Sequence, residues 1–208
     1  MKSKMFFLLL LFTLSGLMGT SCTKDSEKGD PVFALPPETQ VGANTFGVTI
    51  NGKVYVPRDP TGTLFGTSTH AMTFWTSPDG LHTFEELEIL DGKSTVGFQM
   101  IIHIQNLFTL GTGKYLLRQS NFQKGIDSIP LTHIYFKIWD PKINNYAYYG
   151  SVTNEGEINI TRYDIPNRIA SANFNGKFVR LNSSTDFITI TDGRFDIKWS
   201  TLDQTVFP

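Results

Sequence analysis

Short stretches in which apolar and polar residues alternate recur along most of the chain, and turn-forming residues separate them. This pattern is typical of β-strands that bury one face. We predict strands at residues 45–50, 53–56, 71–76, 85–90, 95–105, 114–117, 132–139, 146–152, 157–163, 168–174 and 177–181. So many short strands indicate an all-β fold, a single antiparallel β-sandwich or a partly open, barrel-like domain over residues 43–208.

Dipeptides that end in glycine predict where the chain reverses. Asn51-Gly52 lies between two strand patterns and can supply the two positive φ values of a type I′ hairpin turn. Asp192-Gly193 lies inside the clearest alternation, which places Ile190 opposite Phe195 if the chain turns there. We therefore predict hairpins at 51–52 and 192–193, and a further turn at 175–176.

The first 22 residues follow a different pattern. Lys2 and Lys4 precede an apolar run from 5 to 18, and small residues then lead to Cys22, which is the only cysteine. This layout is typical of an export signal, and the run is shorter than the about 20 residues of a spanning helix. Its resemblance to a lipobox, from which Gly19 departs, implies cleavage before Cys22 and acylation of its thiol.

We therefore expect residues 1–21 to be a lipoprotein signal peptide and acylated Cys22 to attach the protein to a membrane. Each buried methylene contributes about 0.8 kcal/mol, so two or three acyl chains suffice for stable attachment. A free thiol after an ordinary signal peptide is the alternative. The absence of a second cysteine excludes a disulfide within the chain.

Residues 22–42 are mostly polar and have no hydrophobic period. They predict a disordered leader, a flexible tether with a reach on the order of 25 Å. The charged residues 24–27 resemble the export signal that directs some Bacteroidota lipoproteins to the outer face of the cell, although a solvated linker explains them equally well. The expected location is the cell envelope, as an outer-membrane lipoprotein that is periplasmic or surface-exposed.

Composition narrows the classes of partner. Without residues 1–21 the chain has 187 residues, with 16 basic and 19 acidic side chains. Such a balance argues against a nucleic-acid partner, which would require a basic surface. The 17 Phe, 7 Tyr and 3 Trp favour strands over helices.

Several segments together resemble a Bacteroidota lipoprotein family of unknown function. The similar segments are 35–40 (LPPETQ), 42–47 (GANTFG), 51–57 (NGKVYVP), 168–174 (RIASANF) and 190–197 (ITDGRFDI). The resemblance implies a lipoprotein and supplies no catalytic residues. Many relatives carry a cysteine where Val48 stands, so any disulfide they form is absent here.

Motifs that carry chemistry are missing from the sequence. It contains no Gly-x-Ser-x-Gly, no phosphate-binding loop and no calcium loop, and its histidines lack metal-ligand spacing. We therefore predict no enzyme activity, no cofactor and no metal. The alternation predicts that His103 and His133 face solvent, and Glu85, Glu86 and Glu88 are interpreted as a solvated sheet edge.

Aromatic residues around the loop 140–145 are the candidate ligand-binding residues, namely Trp139, Tyr146, Tyr148 and Tyr149. Exposed rings beside Asp and Asn could stack on sugars, whereas buried rings would only fill the core. Ser128, within Asp127-Ser128-Ile129, is a candidate O-glycosylation site. The sequence thus predicts a lipid-anchored lipoprotein with a structural or binding role, and the alternative is a glycan-binding accessory module.

Overall fold

The computed structural model describes residues 32–61, 70–77, 80–94 and 97–208. Ten strands form in this part of the chain, with one short helix and one 3-10 turn. The elements are β1 (Thr45–Ile50), β2 (Lys53–Tyr55), β3 (Met72–Trp75), β4 (Phe84–Leu90), β5 (Gln99–Gln105), α1 (Leu107–Leu110), β6 (Gly113–Leu116), β7 (His133–Asp140), β8 (Asn145–Asp164), β9 (Ile169–Arg180), β10 (Phe187–Lys198) and the 3-10 turn Leu202–Gln204.

All ten strands belong to one antiparallel sheet. The order is β2-β1-β10-β9-β8-β7-β5-β4-β3, and β6 pairs with the second half of β8. The sheet curls into a half-barrel, so the predicted all-β, partly open barrel-like fold is confirmed. Across the open side, the rings of Phe74 in β3 and Trp199 after β10 lie 5.6 Å apart, centroid to centroid.

The concave face of the sheet holds the core. Phe46, Leu87, Ile102, Phe136 and Phe178 are all buried there, as members of one continuous apolar cluster. An ion pair closes one end, where the Arg58 guanidinium donates two hydrogen bonds of 2.7 Å to the Asp91 carboxylate. Both partners are buried, so they fix the segment after β2 against the end of β4.

The first predicted hairpin is confirmed. β1 and β2 pair in antiparallel register, and Asn51 and Gly52 take φ values of 48° and 78°. Both values lie in the left-handed region that a type I′ turn requires.

The predicted turns at 192–193 and 175–176 are wrong. β10 runs unbroken from Phe187 to Lys198 between β1 and β9, and β9 runs unbroken from Ile169 to Arg180. Between Ile190 and Gly193 the register slips by one residue against β9, which is a bulge and no reversal. Gly193 is needed because a Cβ there would lie 2.2 Å from the Phe174 ring.

The two strands predicted at 146–152 and 157–163 are one strand, β8. Its register against β9 shifts between Ser151 and Gly156, where the strand bends. A Cβ on Gly156 would lie 2.4 Å from the backbone of Gly176, so the two strands approach more closely there than side chains would allow. Glycines at close approach let a sheet bend sharply, which suits a curled half-barrel.

Residues 36–42, part of the segment that the sequence assigns to the flexible tether, lie against the convex face of β10. The Asp196 carboxylate accepts hydrogen bonds from Thr39 Oγ1 at 2.6 Å and from the backbone N–H groups of Val41, Gly42 and Ala43 at 2.8–3.1 Å. Polar composition and the lack of a hydrophobic period predict a flexible segment, but they do not show that Asp196 offers acceptors to this backbone. Residues 22–31 and Cys22 lie outside the described residues.

Within the described ranges, no helix has the length and apolar character needed to cross a membrane.

Candidate functional site

A line of polar side chains crosses the convex face of three neighbouring strands. Glu86 in β4 pairs with His103 in β5, which pairs in turn with His133 in β7. Residues directly opposite one another share a face, so the three side chains are neighbours. Their exposed fractions are 2%, 0% and 0%. The predictions that the histidines face solvent and that Glu86 lies on a solvated edge are therefore wrong.

The reason is a segment without regular structure, residues 118–131, which we call the covering loop. It lies over the convex face and is fixed there by polar contacts. The N–H of Gly125 donates to Glu86 Oε2 at 3.0 Å, and Lys124 Nζ lies 2.6 Å from Glu88 Oε1. Further along, the Asp127 carboxylate lies 2.8 Å from His82 Nδ1. The loop thus excludes water from Glu86, His103 and His133, which we call the buried strip. Alternation alone would leave these three side chains exposed.

Each histidine of the strip is held through Nδ1. His103 Nδ1 lies 2.9 Å from Glu86 Oε2, and the His103 ring stacks on Phe84 at a centroid distance of 4.6 Å. His133 Nδ1 lies 2.9 Å from Ser120 Oγ. The two imidazole rings are 5.3 Å apart, centroid to centroid, with an angle of 60° between their planes.

Burial sets the charge of His133. Burial, and after it the neighbouring His103, lower the pKa of the imidazole to about 3, and a smaller contribution from the Gln123 backbone opposes them. A group in water would have a pKa near 6.5. His133 is therefore neutral at physiological pH.

Glu85 points to the opposite, concave face and is fully buried, so its predicted place on a solvated edge is also wrong. Burial raises its pKa to about 7, against the hydrogen bonds that it accepts from Phe108 N–H and Tyr163 OH, each 3.2 Å long. Glu88 alone of the three glutamates is only half-buried, and it pairs with Lys124.

A groove of about 620 Å³ opens between the covering loop and the sheet. The sheet contributes Gln99, Tyr135, Lys137 and Tyr148, and the loop contributes residues 122–128, which include Phe122. This volume falls within the range of about 300–1,000 Å³ that is typical of small-molecule sites. Aromatic rings, amides and one ammonium group thus face a common space.

A second groove, of about 420 Å³, lies on the other side of the loop at Lys124 and Gly125. Trp75, His82 and Phe84 line it together with Glu86 and Glu88. Trp75 is among the most exposed large apolar side chains of the domain. The convex face therefore offers aromatic rings on both sides of the covering loop.

The predicted ligand-binding aromatics do not form one cluster. Tyr148 is 41% exposed and lines the larger groove. Trp139 and Tyr146 pack edge to face at 84°, so the two rings do not form one coplanar platform for a sugar ring. Tyr149 alternates to the concave face, where it is buried and stacks on Phe136. Tyr149 is therefore removed from the candidate set.

The structure adds residues that the sequence did not indicate. Gln99 and Lys137 belong to the groove and lie opposite each other in the β5–β7 pair, and Phe122 joins them only when the covering loop folds over the sheet. Ser128, the candidate glycosylation site, is exposed at the rim of the same groove. A Tyr or Gln on the exposed face of a strand is a weak signal, because the sequence alone does not show which loop lies over it.

No group of three or more His, Cys, Asp or Glu side chains is placed to hold a metal ion in the part of the chain that the structure describes. Comparison with protein-family models, curated proteins and solved structures gives no match. The groove and the buried strip must therefore be interpreted from their own geometry.

Proposed function

We propose that the protein is a lipid-anchored lipoprotein of the cell envelope whose β domain binds a glycan in the groove beneath the covering loop. The observation that carries the binding role is the groove itself, of about 620 Å³, where the rings of Phe122, Tyr135 and Tyr148 face the amide of Gln99 and the ammonium group of Lys137. Sugars bind through ring stacking combined with hydrogen bonds to hydroxyls, and this lining supplies both.

Tyr148 is the central residue of this proposal. Its ring is the most exposed of the three, and it lies directly opposite Lys137 in the β7–β8 pair. Lys137 Nζ lies 4.9 Å from the Tyr146 ring centroid, which keeps the ammonium group on the groove side of the sheet. A sugar stacked on Tyr148 would therefore have a cationic donor beside it.

Binding is tested with the mature chain on a panel of immobilised polysaccharides. We expect saturable binding to at least one polysaccharide. Tyr148→Ala should weaken this binding by about tenfold or more, because stacking on one aromatic ring contributes roughly 1–3 kcal/mol. Phe187→Ala is the matched control, because Phe187 is similarly exposed but does not line the groove. Equal losses in both variants, or no binding to any polysaccharide, would contradict the glycan role.

The anchor is supported by the export signal and by the position of Cys22 after Gly19-Thr20-Ser21. Cells fed a fatty-acid probe should label the wild-type protein and fail to label Cys22→Ser. The variant should also leave the membrane fraction. Equal labelling of both proteins would refute acylation at Cys22 without bearing on the groove.

A further inference from the structure

The buried strip contains two ring nitrogens without a hydrogen-bond partner. Nε2 of His103 and Nε2 of His133 are both fully buried, and neither has a partner. A buried polar atom that loses its water without a replacement costs about 1–3 kcal/mol. One bound species between the two neighbouring strands would satisfy both atoms.

The separation of the rings suits a metal ion. With metal–nitrogen bonds of about 2.0–2.1 Å in a tetrahedral arrangement, the centroids of two coordinating imidazoles lie roughly 5 Å apart. The His103 and His133 centroids are 5.3 Å apart. Their direct opposition across the β5–β7 pair fixes this distance through the backbone register.

The contacts of the other ring nitrogens point the same way. In metal sites, the second nitrogen of a coordinating histidine is usually held by a carboxylate or another polar group, which fixes the ring and leaves Nε2 for the ion. Glu86 holds Nδ1 of His103, and Ser120 holds Nδ1 of His133.

We propose that His103 and His133 together bind one divalent transition-metal ion, of the Zn²⁺ class, through their Nε2 atoms. Imidazole pairs favour Zn²⁺, Cu²⁺ and Ni²⁺ over the hard cations Mg²⁺ and Ca²⁺. The Gln105 amide oxygen is also buried without a partner, on the same face two residues from His103, and is a candidate third ligand. Water that enters with the ion would complete the coordination. The ion cross-links β5 to β7 beneath the covering loop and is independent of any glycan in the groove.

Zinc binding is measured calorimetrically on the full mature chain in a Cys22→Ser background, which removes the only thiol. We expect one Zn²⁺ per chain. His103→Phe and His133→Phe keep an aromatic ring in place and should abolish binding. Glu86→Gln should weaken it by about 10- to 100-fold, as loss of an outer carboxylate partner does. His70→Ala is the matched control, because His70 lies outside the buried strip and the covering loop and should leave binding unchanged.

X-ray absorption on the zinc-loaded wild-type chain gives a readout that does not depend on variants folding. Two imidazole nitrogens at about 2.0–2.1 Å are expected. Failure to bind zinc at about millimolar concentration would overturn the proposal. Zinc binding that survives in both His→Phe variants would overturn it as well. A third contradicting result is a nitrogen NMR spectrum in which one Nε2–H donates directly to the other Nε2 and excess zinc leaves that hydrogen bond unchanged.

Discussion

Replacing Asp196 tests how firmly residues 36–42 are held on the sheet. Asp196 is 1% exposed, and its carboxylate accepts five hydrogen bonds, four from residues 39–43 and one of 2.7 Å from Ser171 Oγ. A hydrogen bond to a charged group contributes about 1.5–3 kcal/mol. The five cannot be added, because the donors of residues 39–43 return to water when this segment is released. Ser171 is fully buried, so in the variant its hydroxyl loses the Asp196 acceptor and gains no water in exchange.

We therefore expect Asp196→Ala to lower the free energy of unfolding by about 2–4 kcal/mol, measured by urea denaturation at neutral pH. Limited proteolysis should then cut within residues 32–43 in the variant before it cuts elsewhere. Asp192→Ala is the control, since Asp192 is exposed on the same strand and should change stability by less than about 0.5 kcal/mol. If Asp196→Ala lowers the free energy of unfolding by less than about 1 kcal/mol, the hydrogen bonds to Asp196 do not hold residues 39–43 on the sheet.

Protonation of the Asp196 carboxylate should lower the stability of the fold at acid pH. Burial raises the pKa of Asp196, but the hydrogen bonds from Thr39, Ser171 and the backbone outweigh burial and hold it below its usual range. A depressed folded-state pKa contributes stability above the unfolded value of about 3.9, and this contribution is lost as pH falls through the folded value. The stability difference between wild type and Asp196→Asn should therefore be constant above about pH 5 and shrink below pH 4.

Three further substitutions probe the fold. Gly193→Val should lower the melting temperature by several degrees, because a Cβ there would overlap the Phe174 ring. Gly52→Ala should lower the melting temperature less, because the added Cβ meets no atom within 4 Å and only the positive φ of residue 52 opposes it. Asp91→Ala should cost about 3–5 kcal/mol in chemical denaturation, since it leaves the Arg58 charge buried and without this carboxylate. Glu85→Gln should gain stability relative to wild type as pH rises from about 4.5 to about 7, because the raised folded-state pKa makes ionisation of Glu85 unfavourable to folding.

The two Gly-containing turns show what alternation could and could not predict. Apolar positions 188 and 190 are followed by 195 and 197, so the parity of the buried positions changes at Asp192-Gly193. A two-residue hairpin and a one-residue bulge both change parity, and the sequence pattern cannot separate them. At Asn51-Gly52 the following strand is short and ends at Pro57, which leaves only the hairpin.

The candidate site depended on a segment that has no period. Alternation placed His103 on the face of Gln99 and Gln105, and the structure agrees. It could not indicate that residues 118–131 cover this face, because loops are fixed by individual contacts such as that of Gly125 N–H with Glu86. Burial of the strip, the unpartnered nitrogens and the groove all follow from the loop, so none could be predicted from the strands alone.

The groove as the ligand site is tested most directly by mapping amide shifts in NMR spectra of the isotopically labelled mature chain, during titration with oligosaccharides from a polysaccharide that it binds. If the ligand binds in the groove, shifts are expected at Gln99, Tyr135, Lys137 and Tyr148 and in the covering loop, with none at Asp196 on strand β10. Shifts confined to residues outside the groove, with Tyr148 and the covering loop unchanged, would contradict it.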